Sequence, residues 1–218
     1  MNIFRPIAPL IRKLAKIYTS KERTFSFKDI EVIVKPGVFH PGLFISTKML
    51  LNFVEKLNLE QQTFLELGAG SGIISIMAAK KGAKVYASDI SGVAIENIKL
   101  NAYKNEVEIS VIKSDLFQNL TGLKFDFIII NPPYYKKDPA NEEEYAWYCG
   151  SNHEYFNKLL DSLKNYINKR SNVYMILSEV CDINLIKSIG TQKGYSWSVV
   201  KEKIVWGERN YIYSIMQD

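Results

Sequence analysis

Cysteine and histidine are scarce, with two of each among 218 residues. Cys149 and Cys181 form no Cys-x-x-Cys pair and no disulfide framework, so a reduced, cytoplasmic compartment is expected. Zinc needs three or four protein ligands. Cys149 and His153, four residues apart, fall short of that, and no metal site is expected. Long apolar runs are missing too. None approaches the roughly 18–20 residues that span a bilayer, and no apolar core of a secretory signal is present. Glycine (12) and proline (7) are at ordinary levels, as are the 47% hydrophobic and 23% charged fractions, which excludes low-complexity, collagen-like and disordered classes. The length suits one domain with a small appendage, and no internal repeat is visible.

A general charge excess is also lacking. The net charge is +5, but residues 1–35 hold eight bases against three acids, and the other 183 residues balance 20 against 20. The basicity is therefore local. It could attract nucleic acid or an acidic protein surface, or it could be a solvated helix face. Residues 7–18 place Ile7, Leu10, Ile11, Leu14, Ile17 and Tyr18 on one helical stripe opposite Arg12, Lys13 and Lys16. The absence of acids before Glu22 is a weak match to an organelle transit peptide. A short helix is the expectation, either packed on the body or gripping a substrate. Residues 24–37 read as a β-hairpin with a Lys28-Asp29 turn, ended by Pro36-Gly37.

From about residue 47 the pattern alternates. A helical stretch over 47–57 leads to a short strand at 63–67, stopped by Gly68-Ala69-Gly70-Ser71-Gly72. A helix over 73–81, a strand over 84–88 and a helix capped by Ser91 follow. Strands are expected at 108–113 and 125–130, the second an unbroken apolar run typical of a buried parallel strand. A helix near 153–168, a strand at 172–178, a helix near 182–190 and β-rich stretches at 195–205 and 210–216 complete the chain. Such alternation implies a parallel sheet with helices on both faces, and the last two strands can pair as an antiparallel hairpin.

The glycine loop ends a strand and opens a helix, where positive φ and close backbone approach to a ligand are both useful. Asp89 lies 21 residues past Gly68, at the end of the next strand, where a carboxylate can accept from both ribose hydroxyls. Together they indicate a nucleoside cofactor. The spacing is G-x-G-x-G rather than the dinucleotide G-x-G-x-x-G, and Glu66 precedes it. An acid there is awkward for pyrophosphate but suits a cofactor carrying an ammonium group. Downstream, Asn131-Pro132-Pro133-Tyr134 follows directly on an apolar strand, at the sheet edge where open α/β folds bind ligands. Asn131 offers a side-chain acceptor and Pro132 a main-chain one. The two prolines fix φ and remove donors, and Tyr134 supplies a flat face. The set fits a planar –NH2 group, as in an amide or an aromatic exocyclic amine.

At these motifs the chain resembles the class I S-adenosylmethionine-dependent methyltransferases. The matching elements are Leu65 through Gly72, Asp89, Ser114-Asp115-Leu116-Phe117 and the Asn-Pro-Pro-Tyr tetrad, in the family's order over roughly residues 60–135. The resemblance implies an α/β, Rossmann-like, seven-stranded and mostly parallel sheet with an antiparallel last strand. A short N-terminal helix and β-hairpin would be appended, with an extension over 1–45 and the catalytic domain over 46–218. It implies S-adenosyl-L-methionine as cofactor, with Glu66, Gly68, Gly70 and Gly72 along the methionine part and Asp89 on the ribose. Asp115 would face the adenine amine and Leu116 the ring. Asn131, Pro132 and Tyr134 would hold the target nitrogen in line with the sulfonium, Asn131 also bordering the cofactor.

Within the family the tetrad is similar to two groups. One methylates a glutamine side-chain amide in translation release factors; the other methylates the exocyclic amine of adenine in DNA or RNA. The segment after the tetrad and the turn Gly207-Glu208-Arg209-Asn210 are closer to the glutamine group. Two departures are the missing acid before Thr47, where Ile45-Ser46 stands, and the missing multi-helix N-terminal module. The expected partner is thus a macromolecule, protein glutamine ahead of RNA or DNA, with no membrane involved. Two other classes compete. A nicotinamide-dependent oxidoreductase would bind a dinucleotide and leave the tetrad unexplained, and a non-catalytic nucleic-acid-binding module would not need the intact loop and tetrad. His40 reads as an exposed loop residue, with a cleft-side role as the alternative. Glu142-Glu143-Glu144 reads as a solvated loop or a lid, and the aromatics between Tyr134 and Tyr148 as base-stacking or lid-packing groups.

Overall fold

A continuous apolar strand must be covered on both sides, and the computed structural model, which describes residues 18–205 and 207–218, shows how. The expected helix over residues 7–18 lies, except for Tyr18, outside the described residues. A hairpin of β1 (Arg23–Phe27) and β2 (Ile30–Val34) is followed by α1 (Ile45–Val54). Then come β3 (Thr63–Leu67), α2 (Ile73–Lys80), β4 (Lys84–Asp89), α3 (Gly92–Lys104), β5 (Ser110–Lys113) and β6 (Phe127–Ile130). The chain continues through α4 (Glu154–Ser162), β7 (Asn172–Ser178), α5 (Ile183–Gln192), β8 (Tyr195–Val205) and β9 (Glu208–Gln217). Among the described residues no helix is long and apolar enough to cross a membrane.

The seven-stranded sheet has the order β5-β4-β3-β6-β7-β9-β8. β3 to β7 are mutually parallel, and β9 runs antiparallel to both β7 and β8. This is the Rossmann-like arrangement expected from the alternation. Along β6, Phe127 and Ile129 join the core under α1 and α2, while Ile128 and Ile130 join the core under α4 and α5. The period of two, with both faces covered, is why Phe-Ile-Ile-Ile needs no polar residue. The helix expected over 153–168 is shorter: α4 stops at Ser162, and a single 3₁₀ turn, Leu163–Asn165, leads to the next strand.

The hairpin is held by an unforeseen device. Asn97, Asn101 and Asn105 recur every fourth residue on one face of α3 and read the backbone edge of β2. Asn97 Oδ1 accepts from Lys35 N–H (2.9 Å) and its Nδ2 donates to Ile33 O (2.8 Å). Asn101 Oδ1 accepts from Ile33 N–H (2.8 Å), and its Nδ2 donates to Ile33 O (2.7 Å) and Ser71 O (2.9 Å). Asn105 takes Glu31 N–H and donates to Glu31 O (2.7 Å). The carboxamides do for β2 what a third strand would do, so this partly covered edge keeps its hydrogen bonds.

Candidate active site

The loops leaving β3, β4, β5 and β6 gather at the carboxyl edge of the sheet around one cleft. Of the residues singled out from the sequence, Glu66, Gly68, Gly70, Asp89, Asp115, Leu116, Asn131, Pro132 and Tyr134 all line it. Gly72 lies just behind. It caps the N-terminus of α2 at φ 77°, and a Cβ there would meet Ile98 Cγ2 at 3.1 Å.

Gly68 and Gly70 sit at φ 71° and 55°. A Cβ on Gly68 would meet no atom within 4 Å, and one on Gly70 only Val38 at 3.8 Å, so the loop shows bare backbone to the open cleft. Asp89 ties this loop to the next helix. Its Oδ2 accepts from Gly70 N–H and its Oδ1 from Ser91 N–H, both at 2.9 Å. Burial raises its pKa, and the N–H groups of Ser91, Gly70 and Ile90 oppose that rise. Its free lone pairs can still receive hydroxyls. The bare loop beside this acceptor has the shape and chemistry that an adenosyl group with an amino-acid tail requires.

Glu66 points the way strand alternation dictates, with Phe64 toward α2. There its Oε2 accepts from the N–H (2.8 Å) and the hydroxyl of Ser75. Burial pushes its pKa up to about 8; the Ser75 hydrogen bonds work against this and the neighbouring Asp89 adds to it. A carboxyl group that is neutral when folded and charged when unfolded stabilises the fold fully below its ordinary pKa of 4.5, and this stabilisation is lost as pH rises toward 8. Glu66→Gln should therefore flatten the decline in stability between pH 4.5 and 8. Urea midpoints for both proteins at pH 5 and pH 8 check this, and parallel declines would refute it.

Asp115 forms an ion pair with Lys158, with Nζ 3.5 Å from Oδ2. Leu116 takes a positive φ of 49° and packs half-buried against the core under α4 and α5. In the tetrad, Pro132 and Pro133 are buried, and the Tyr134 hydroxyl donates to Asn131 Oδ1 at 3.3 Å. Burial holds the Tyr134 phenol protonated, its pKa well above the usual value. The Gly207-Glu208-Arg209-Asn210 segment, expected as a turn, is mostly strand, since β9 begins at Glu208, and it lies against the end of β7. Glu179 N–H donates to Arg209 O at 2.9 Å, and the Ser178 hydroxyl donates to Glu208. Glu208 lies near enough to Tyr134 to help raise its pKa.

Other segments complete the cleft. Residues 142–146 form a 3₁₀ turn in which Glu142 and Glu143 are exposed, as expected of a solvated segment. Glu142 Oε1 accepts from Gly92 N–H at the start of α3 (3.0 Å) and from Lys113 (3.2 Å), which draws the segment across the cleft. Trp147 there meets Phe39 and Phe44, each at 5.3 Å between ring centroids, and all three rings line the cleft. Ser46 and Thr47, in the first turn of α1, line it as well. Only proximity in the folded chain unites these segments. His40 corrects the expectation of an exposed loop residue, being 4% exposed. It is held by Gly42 N–H on Nδ1 (3.1 Å) and by edge contacts with Tyr18 and Phe25, and burial lowers its pKa.

Known proteins share this architecture. Residues 29–147 match the family described as "Methyltransferase small domain". A protein from Methanocaldococcus jannaschii named "Putative protein N5-glutamine methyltransferase" is 37% identical over 174 residues, 74% of this chain and 84% of that one. A ribosomal protein L11 methyltransferase from Thermosipho africanus is 36% identical over 117 residues, and that match spans 53% of this chain but only 45% of the relative. The crystal structure of the T. thermophilus 16S rRNA N2 G1207 methyltransferase with AdoMet and guanosine has a TM-score of 0.68 at 15% identity. It covers 91% of this chain and 50% of that one, a likeness of fold. The chain belongs to the methyltransferase small domain family and is an S-adenosylmethionine-dependent methyltransferase.

Proposed function

We propose that the enzyme methylates a planar amide nitrogen, the side chain of a glutamine in a protein. The observation that carries this reading is the pair of acceptors fixed at the edge of β6. S-adenosylmethionine supplies an electrophilic methyl group on a sulfonium. Asp89 would take the ribose hydroxyls, Glu66 with Gly68, Gly70 and Gly72 would border the methionine end, and Asp115 and Leu116 the adenine. Asn131 Oδ1 and the Pro132 carbonyl accept the two N–H bonds of the target, leaving its nitrogen lone pair directed at the methyl. Tyr134 stays protonated in its buried site and donates to Asn131 Oδ1. It thereby fixes which end of that carboxamide faces the substrate and leaves the second lone pair free. No strong base is needed before attack, because the proton leaves once the nitrogen is cationic.

Three observations favour protein over nucleic acid. The M. jannaschii relative matches along most of its length and carries the glutamine name. The segment 207–210, at the start of β9, lies beside the tetrad rather than at a distant edge. Bases of the hairpin region are engaged within the molecule: Lys28 with Glu55, and Arg23 with Tyr18 through its carbonyl and ring. The two cysteines are buried and free, in keeping with a reducing cytoplasm. The enzyme should transfer labelled methyl from S-adenosylmethionine to a cell extract lacking it, with label released by protease as methylglutamine. Nuclease-released methyladenine, with transfer that falls steeply as salt rises, would replace this reading with the adenine one.

A further inference from the structure

We propose that Asn101 is a positioning residue that locks the glycine loop to the segment after β2, which lines the same cleft. Its carboxamide holds three backbone groups at once: the N–H and C=O of Ile33 on β2 and the C=O of Ser71 in the loop. Ile33 and Ser71 are 38 residues apart in sequence, and each leads into a segment that lines the same cleft. β2 runs through a turn, where Val38 N–H meets Lys35 O (3.1 Å), directly into Gly37, Val38 and Phe39, which line the cleft. Ser71 lines it from the loop, and Val38 reaches to within 3.8 Å of the Cβ position on Gly70. Asn101 is 0% exposed, so its bonds meet no competition from solvent and the spacing it sets is stiff.

The fold supplies its own controls. Asn97 and Asn105 make the same kind of bond to β2, but neither touches the loop. All three alanine variants should lose stability. Only Asn101→Ala should also lose S-adenosylmethionine affinity, by about tenfold, while Asn97→Ala and Asn105→Ala stay within about twofold. Coupling itself is read by amide exchange of residues 37–39. Cofactor binding should slow this exchange in the wild type and in Asn97→Ala, and that response should disappear in Asn101→Ala. If Asn101→Ala does not fold, Asn101→Ser, which keeps one short donor, takes its place in both measurements. Equal cofactor affinities in the three variants, or an exchange response that survives at Asn101, would overturn the proposal. The inference rests on this cleft being the cofactor site, which Asp89→Ala tests separately. If that variant bound the cofactor normally, the cleft assignment would fall and the coupling with it.

Discussion

Replacing Asn131 with alanine is expected to lower methyl transfer by about 10²–10³-fold at saturating cofactor, while S-adenosylmethionine binds almost as before. The size follows from the geometry proposed for the tetrad. A planar nitrogen must give both hydrogens to fixed acceptors for its lone pair to point along the line of attack. Removing one acceptor lets the amide rotate. The Pro132 carbonyl remains, rigid between two prolines, so binding is weakened less than alignment. Asn131 is half-buried at the end of β6 and outside the core clusters, so the fold should survive its truncation. Turnover measured beside calorimetric cofactor affinity checks the expectation. A rate within fivefold of wild type, or an equal loss of rate and affinity, would show that Asn131 does not have this role.

Asp89→Ala should do the reverse and weaken S-adenosylmethionine by about 100-fold or more. A charged acceptor shared by two hydroxyls is worth more than a neutral one, and Asp89 is half-buried where it lines the cleft. The carboxylate also holds Gly70 N–H and Ser91 N–H, so its loss loosens the glycine loop and the start of α3 together. Asp89→Asn keeps one acceptor and should fall between the two. Titration of the cofactor into each variant decides it. Unchanged affinity in Asp89→Ala would move the ribose elsewhere in the cleft.

The strand and helix order could be read directly from the chain because each element carries its own period or cap. β6 is an unbroken apolar run, Ser91 accepts from Ala94 N–H as the cap of α3, and the Lys28-Asp29 turn closes the hairpin with Lys28 at φ 55°. The glycine loop, Asp89 and the tetrad could be read because each sits at a strand end, and topology brings strand ends together. What escaped notice depends on a distant partner. Three asparagines spaced by four look like the polar face of a surface helix, and nothing in their neighbourhood announces β2. Glu66 lines the cleft as its place before the glycine loop suggests, but its anchoring by Ser75, nine residues on, is visible only in the fold. Glu142 and Glu143 are solvated as expected, but nothing local announces that Glu142 also meets Gly92 and Lys113. His40 looks like an exposed loop residue until Phe25 and Tyr18 close over it.

The place of β9 between β7 and β8 bears on how the chain assembles as it leaves the ribosome. β3 to β7 can pair as they emerge, each new strand finding an edge already waiting. β8 cannot, because among the described residues its only strand neighbour is β9, which is made after it. A nascent chain that has reached Gly207 therefore holds an unfilled edge at β7 and a long strand without a partner, a combination prone to wrong pairing. Residues 208–217 settle both at once by sliding between them. Catalytic competence should appear late in synthesis and all at once, and a pause just before this stretch would be costlier than one anywhere in the first five strands of the sheet.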